Sequence, residues 1–397
     1  MCKRCLGVLV LLAGCLPDIP GDRADGQMGA ARPNGPCGSG TWLPGSLEIH
    51  HIDAGEGVST LIVSPLGRSM LVDVGEADWD RDDGAHLVGD YLRRVLGCNQ
   101  VDYVVATHFH VDHLGFPGHG GLWHLARKQG LSVGKFLHRD LYRYRGTSAA
   151  TVSAWGGFLQ SPEAAALSSQ IAVLGRSQVE LGGGVDFAFV AVDGNGSLAA
   201  GDFSSDPAPP DENDYSIAAL LRFGRFDYFT AGDLSGRTKV FGSYSYHDVE
   251  TAVAPRVKDV DVYRASHHGS SLSSNDTLLA ELAPEVTIVQ VGDSNSNGHP
   301  AQSTVDRLVA TGALYFTEHG DVDTDLRTGK VVGDVVVRSL DGVAYTVAGD
   351  AFTASDPPRI DDDGDGYFVE ADPDDHSAAL LLAPNGGCDS RYQVCQL

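Results

Sequence analysis

The stretch Val101-Asp-Tyr-Val-Val-Ala-Thr-His108-Phe-His110-Val-Asp112-His113 joins an apolar, β-branched run to four metal-ligand side chains within six residues. Residues 101–106 are short and apolar enough to be a buried strand. The histidines therefore begin at a strand's C-terminal end, where α/β proteins place ligands. Two imidazoles at i and i+2 just past a strand can grip one metal from one side of a turn, and the Asp112-His113 pair can grip a second. Nitrogen with carboxylate oxygen suits Zn²⁺, Mn²⁺ or Fe²⁺, so the ligand types do not choose among them.

Strands are expected on the N-terminal side of this motif at residues 46–53, 59–63 and 69–74, the last ending in Asp73-Val-Gly75. They are followed by an amphipathic helix at 85–96, with Leu87, Tyr91 and Val95 on one stripe and Leu92 and Leu96 beside it. On the C-terminal side a helix starts over 122–128. Residues 141–212 carry no clear period. The pattern then resumes with a hairpin of 216–223 and 226–231, strands at 261–265, 286–291, 313–317 and 331–338, and a helix at 303–311. Two sheet-rich halves with interspersed helices suit an α/β four-layer αββα sandwich over residues 46–350.

A two-metal centre needs ligands from the second half of the chain. Asp233 follows the apolar run 226–231 in Thr230-Ala-Gly-Asp233, and its carboxylate can bridge two metals about 3.5–4 Å apart. His267-His268-Gly269-Ser270 follows the strand at 261–265 and supplies further imidazole, with His267 as a ligand. His299, in Asn297-Gly-His299-Pro, is placed on the substrate side. The metal set is thus His108, His110, Asp112, His113, Asp233 and His267. Asp112, Asp233, His268 and His299 carry the chemistry. Asp112 or Asp233 would orient an attacking hydroxide, and His268 or His299 would bind phosphate or protonate the leaving oxygen.

Taken together, these segments resemble the metallo-β-lactamase fold, and in particular the soluble hydrolase domain of the ComEC DNA-uptake channel and its stand-alone relatives. The motifs are His108–His113, Gly232-Asp233, His267-His268-Gly-Ser270 and Gly298-His299-Pro300, in that order. Ile52-Asp-Ala-Gly-Glu-Gly57 resembles the opening segment of those relatives, and Asn213-Asp-Tyr-Ser216 their Asn-x-x-Ser. The resemblance adds Asn213, Ser216 and Ser270 to His299 as substrate-side residues. It implies phosphodiester hydrolysis, with nuclease activity as one form. The chain departs from that pattern in having Gly55-Glu-Gly-Val58 where the family usually has Gly-Gln-Gly-Asp. It also has no clear middle histidine for the first metal, for which His138 and His119 are the candidates. No counterpart of the channel's membrane domains is expected in this sequence, so DNA transport is not implied.

The net charge of −25 repels polyanions at long range, which counts against a dedicated nucleic-acid binder. A metal-dependent nuclease survives that test, because cations reverse the field locally. Other readings are hydrolysis of a different ester, of phosphocholine or lactone type, or a surface-binding protein with a structural metal site.

The ends of the chain point to export. Lys3, Arg4 and the apolar run 6–12 precede Leu12-Ala13-Gly14-Cys15, which resembles a bacterial lipobox in which Cys15 is acylated. Residues 1–15 are expected to be a lipoprotein signal peptide and 16–45 a flexible tether. The chain would then be a membrane-anchored lipoprotein of the periplasm or cell surface, with no protein partner inferable. In an oxidising compartment Cys37, Cys98, Cys388 and Cys395 suggest two disulfides with three possible connectivities; Cys388 with Cys395 is the natural local pair, and Cys37 with Cys98 would then staple the tether to the domain. Residues 356–397 are acidic, and Asp361, Asp363, Asp365 and Asp372, with Gly366, occupy ligand positions of an EF-hand-like calcium loop.

Overall fold

The computed structural model describes residues 38, 40–75, 83–203, 205–293 and 295–354, together with the short strands Leu381–Leu382 and Val394–Cys395. Cys15, Cys37, Cys388 and the calcium-loop residues Asp361, Asp363, Asp365 and Asp372 lie outside the described residues. Cys98 is disulfide-bonded.

Two large sheets form the middle of the molecule. In the nine-stranded sheet, Leu47–His51 pairs antiparallel with Thr60–Val63 on one side and with Val335–Ser339 on the other. Ser69–Val72, Gln100–Ala106 and Ser132–His138 then run parallel. In the seven-stranded sheet, Ala218–Phe223 and Phe226–Thr230 make the expected hairpin, and Val262–Arg264, Val286–Val289 and Ala313–Phe316 continue in parallel.

The period of two in each strand decides which core a side chain enters. In Thr60–Val63, Ile62 points between the sheets, beside Ile49, Met70, Phe187, Leu221 and Ile288. Its neighbours Leu61 and Val63 point outward instead, under a layer of helices with Leu92, Leu96, Leu125 and Trp155. The second sheet has its own outer layer, where Val253, Leu278, Leu282 and Leu308 cover Phe229 and Tyr263. One helix of that layer, Asp276–Leu282, starts where the Asn275 side chain caps the Leu278 amide at 2.7 Å. Strands buried on both faces explain the unbroken apolar runs, and three cores in series make the four layers αββα.

Two expectations need correction, and one stretch without a clear period proves structured. Leu87 is off the buried stripe, 54% exposed, and Val88 takes its place, because 88, 91, 92 and 95 follow the helical period of Asp83–Leu96. The strand expected at 331–338 is two strands in different sheets. Lys330–Val331 ends the second sheet, Gly333 turns with φ +74°, and Val335–Ser339 joins the first. The unreadable region also contains a strand of the second sheet, Val185–Ala191, and the helix Ala149–Leu159. Among the described residues, no helix is long and apolar enough to cross a membrane.

Candidate metal centre

The motif is set by two adjacent parallel strands. Gln100–Ala106 delivers Thr107 and His108, and a single helical turn, Val111–Leu114, carries Asp112 and His113. Beside it, Asp73 leaves its strand at φ +58°, a left-handed conformation that aspartate tolerates better than most residues. Its carboxylate accepts the Thr107 amide and hydroxyl, each at 2.8 Å, and the Nδ1–H of His113, also at 2.8 Å. That hydrogen bond fixes the His113 tautomer and leaves Nε2 facing the site. The sequence alone shows Asp73 only as a strand end; an aspartate closing the strand beside the motif strand is the signal for its role.

The second sheet supplies the rest. Gly232, at φ +52°, approaches the first sheet so closely that a Cβ there would lie 2.7 Å from Cβ of Thr107. Asp233 follows, wholly buried, with Oδ1 3.1 Å from Nε2 of His113. Its other oxygen is 3.7 Å from Nε2 of His268 and 3.9 Å from Nε2 of His267. His267 and His268 both have left-handed backbones, at φ +54° and +52°, which is strain that persists where surrounding structure over-determines it. His268 places Nδ1 3.1 Å from the Gln290 carbonyl, so Nε2 again faces inward, 3.3 Å from Oδ2 of Asp112.

Asp112, His113, Asp233 and His268 thus offer four ligand atoms within 4.8 Å of one another. His108 and His110 stand beside them, with Nε2 of one 3.1 Å from Nδ1 of the other, and the His108 ring 4.2 Å from that of His113. His110 is held from behind by Ser148 at 2.8 Å. His267 lies one step outward, its ring nitrogens 3.3–3.4 Å from the Asn213 amide nitrogen. His299 stacks on His268, with rings 5.9 Å apart and 3° from parallel. Ser270 and His299 line a cleft of about 380 Å³ that opens over Asp112 and Asp233. Ser216, expected on the substrate side, is wholly buried instead, and its hydroxyl accepts the Asp233 amide at 3.1 Å. His138 is occupied by the Arg139 carbonyl and Ser169, and His119 is exposed beyond the cluster.

A divalent cation suits these donors. Nε2 of His113 faces Oδ1 of Asp233 at 3.1 Å and Nε2 of His268 faces Oδ2 of Asp112 at 3.3 Å, four donor atoms turned toward one point that a shared cation would satisfy together. Burial opposes protonation of His113 and His268, but the Asp233 carboxylate more than offsets it and raises both, so a cation bound here would take the place of a proton. Burial, then the neighbouring imidazoles of His113 and His110, hold His108 well below its usual range, and burial lowers His267 to about 4. Both are neutral at physiological pH. Burial opposes ionisation of Asp233, but the imidazoles of His113, His267 and His268 more than offset it and keep the carboxylate ionised. Glu56 accepts the Gly292 amide at 2.9 Å and leaves Oε1 unpartnered. Burial pushes its carboxyl up.

An αββα sandwich with a His-x-His-x-Asp-His turn at the end of an inner strand has the metallo-β-lactamase fold. No family model matches the chain. Over 104 residues, 26% of its length, it is 28% identical to ComE operon protein 3 of Bacillus subtilis (strain 168), a stretch spanning 12% of that protein. Among solved structures it is similar to the metallo-β-lactamase fold protein YhfI from Bacillus subtilis, at 11% identity over 74% of this chain and 99% of that one, TM-score 0.40. It is also similar to Tm1679, a metal-dependent hydrolase of the β-lactamase superfamily, at 14% identity over 78% and 100%, TM-score 0.40. A diphosphatase of the PhnP family gives 13% identity over 74% and 98%, TM-score 0.37.

Proposed function

We propose that the chain is a hydrolase of phosphodiesters working through two divalent metal ions, zinc or manganese. The observation that carries this reading is the position of Asp233: one carboxylate oxygen faces His113 and the other faces His267 and His268, so a single side chain spans both halves of the donor set. A closed structural site has little use for such a bridging carboxylate.

His108, His110 and His113 would hold one ion, and Asp112, His268 and, further out, His267 the other, with Asp233 between them. Ions held there supply Lewis acidity and a water of lowered pKa. The protein's own contribution is preorganisation. Asp73 and the Gln290 carbonyl fix two imidazoles, Ser216 fixes the Asp233 backbone, and the sandwich excludes water from behind. Facing the cleft, His299 leaves Nδ1 unpartnered, and burial lowers it to about 3. It is therefore a neutral group placed to meet a phosphate oxygen, while Asn213 and Ser270 stand beside it. In the same reading Cys15 anchors the chain to a membrane outside the cytoplasm, and calcium orders the acidic tail.

The test is the chain from residue 16 onward, with bound metal measured by elemental analysis and turnover measured on bis(p-nitrophenyl) phosphate and on linear DNA. Turnover that is lost in Asp112→Ala and His108→Ala supports a phosphodiesterase. Two bound metals without turnover on either substrate points to another ester, and no bound metal sinks the enzyme reading.

A further inference from the structure

The small hairpin Lys239–Phe241 and Tyr244–Tyr246 belongs to neither large sheet. It carries three aromatic rings at the mouth of the cleft, and none was singled out in the sequence. Phe241 and Tyr244 are a cross-strand pair, 5.4 Å apart and 14° from parallel. Tyr246 stands edge-on to both at 5.6 Å and lies 6.4 Å from the His267 ring. All three line the same cleft as Asp112, Asp233 and His299.

The hairpin is fastened to the site. The Ser245 carbonyl accepts the Asp211 amide at 2.8 Å, the Ser245 amide donates to the Pro209 carbonyl at 2.9 Å, and the buried Asp214 carboxylate holds His247 at 2.8 Å. Asp211 and Asp214 flank Asn213, the residue facing His267. A flexible surface ribbon needs no such ties. The cleft's charge is the second observation. Among the described residues lining it there is no lysine or arginine; Lys239 lies over the Phe241 ring at the mouth, and the chain as a whole is at −25. A groove that tracks a polymer's phosphates has basic side chains along it. This one offers a metal centre for a single phosphate and flat π surface beside it.

Resting on the phosphodiesterase reading, we propose that the substrate is a small phosphodiester bearing a planar aromatic base, nucleotide-sized rather than polymeric, and that Phe241 and Tyr244 are the platform on which the base stacks. Every base has a π face, so such a platform selects for a base without reading its sequence. Lys239, with its ammonium 4.3 Å from the Phe241 ring centroid, is exposed and free to leave that ring when a base arrives.

The test compares three esters with one leaving group: p-nitrophenyl thymidine 5′-phosphate, ethyl p-nitrophenyl phosphate and p-nitrophenylphosphocholine. The metal-loaded protein should prefer the thymidine ester in kcat/KM. That preference over the ethyl ester should fall about tenfold in Phe241→Ala and again in Tyr244→Ala, while Tyr244→Phe retains it. Equal use of the thymidine and ethyl esters, or preference for the choline ester, overturns the proposal. So does a loss in the alanine variants that is the same on every ester.

Calorimetric binding of thymidine 5′-monophosphate against inorganic phosphate separates this proposal from the reading beneath it. If no ester is turned over, the phosphodiesterase reading falls. The platform still stands if the nucleotide binds more tightly than phosphate and Phe241→Ala removes the difference. It falls if the two bind alike. Tight, strongly salt-dependent binding of long single-stranded DNA would overturn the size limit.

Discussion

Oδ2 of Asp73 and Nδ1 of His113 meet at 2.8 Å across two neighbouring strand ends, both side chains out of contact with water. The pair determines which imidazole nitrogen faces Asp233, so the orientation of the centre is set one layer behind it. In Asp73→Asn the amide can present its NH₂ to Nδ1 and invert the tautomer. Metal affinity should drop about 10–100-fold, read by competition with a chromogenic chelator, with the fold intact by circular dichroism.

Chelation should cost stability as well as turnover. A cation at 100 times its dissociation constant stabilises the folded chain by about 2.7 kcal/mol if the unfolded chain does not bind it. Stripping with a chelator should lower Tm, and adding zinc or manganese back should restore it. Asp233→Ala should show no such metal response.

Gly232→Ala tests the close approach of the sheets. The added Cβ meets Thr107 at 2.7 Å and sits on a backbone at φ +52°. Bound metal should fall below that of the parent chain, together with a stability loss of about 1–3 kcal/mol measured by urea unfolding.

Behind the motif, Arg139 and Glu212 form a fully buried ion pair, and the Glu212 carboxylate also accepts the Phe109 amide at 3.0 Å. Glu212→Ala leaves a buried guanidinium without its ion-pair partner, with Asp193 as a more distant counter-charge. It should destabilise the chain by about 3–5 kcal/mol in urea, and removing both partners should cost less than the sum of the single changes.

His138 gives a pH-dependence with a definite sign. Burial lowers it from 6.5 to about 4 in the folded chain. Above pH 6.5 it is neutral in both states. Between 6.5 and 4 the unfolded chain takes up the proton and the folded chain does not, so its contribution to stability is lost as pH falls. The advantage of His138→Gln over the parent chain should grow by roughly 1 kcal/mol per pH unit across that window, measured by urea unfolding.

Much of the fold is visible in local pattern, because strands buried on both faces leave apolar runs that a short window detects. Gln100–Ala106 and the hairpin of Ala218–Phe223 with Phe226–Thr230 are of that kind. The switch of sheet at Gly333 is not, since a strand's pattern records that a residue is buried but not which sheet buries it. The site divides similarly. Histidines and aspartates crowded into one turn declare themselves, whereas Asp73 and the aromatic hairpin matter only through neighbours far along the chain. Ser216 shows the converse: its motif position was recognisable, but the direction of its hydroxyl depended on how Gly232 packs.

The place of Leu47–His51 between Thr60–Val63 and Val335–Ser339 bears on how the chain is made. During synthesis the first strand emerges early, yet its second neighbour is translated almost 290 residues later. Until then the growing sheet has a bare edge, with unpaired amides and carbonyls open to any strand that passes. Closure of the sandwich is therefore a late event, slow in the way of folds dominated by distant pairings. A chain truncated before residue 335 should be a snare for aggregation rather than a smaller working enzyme.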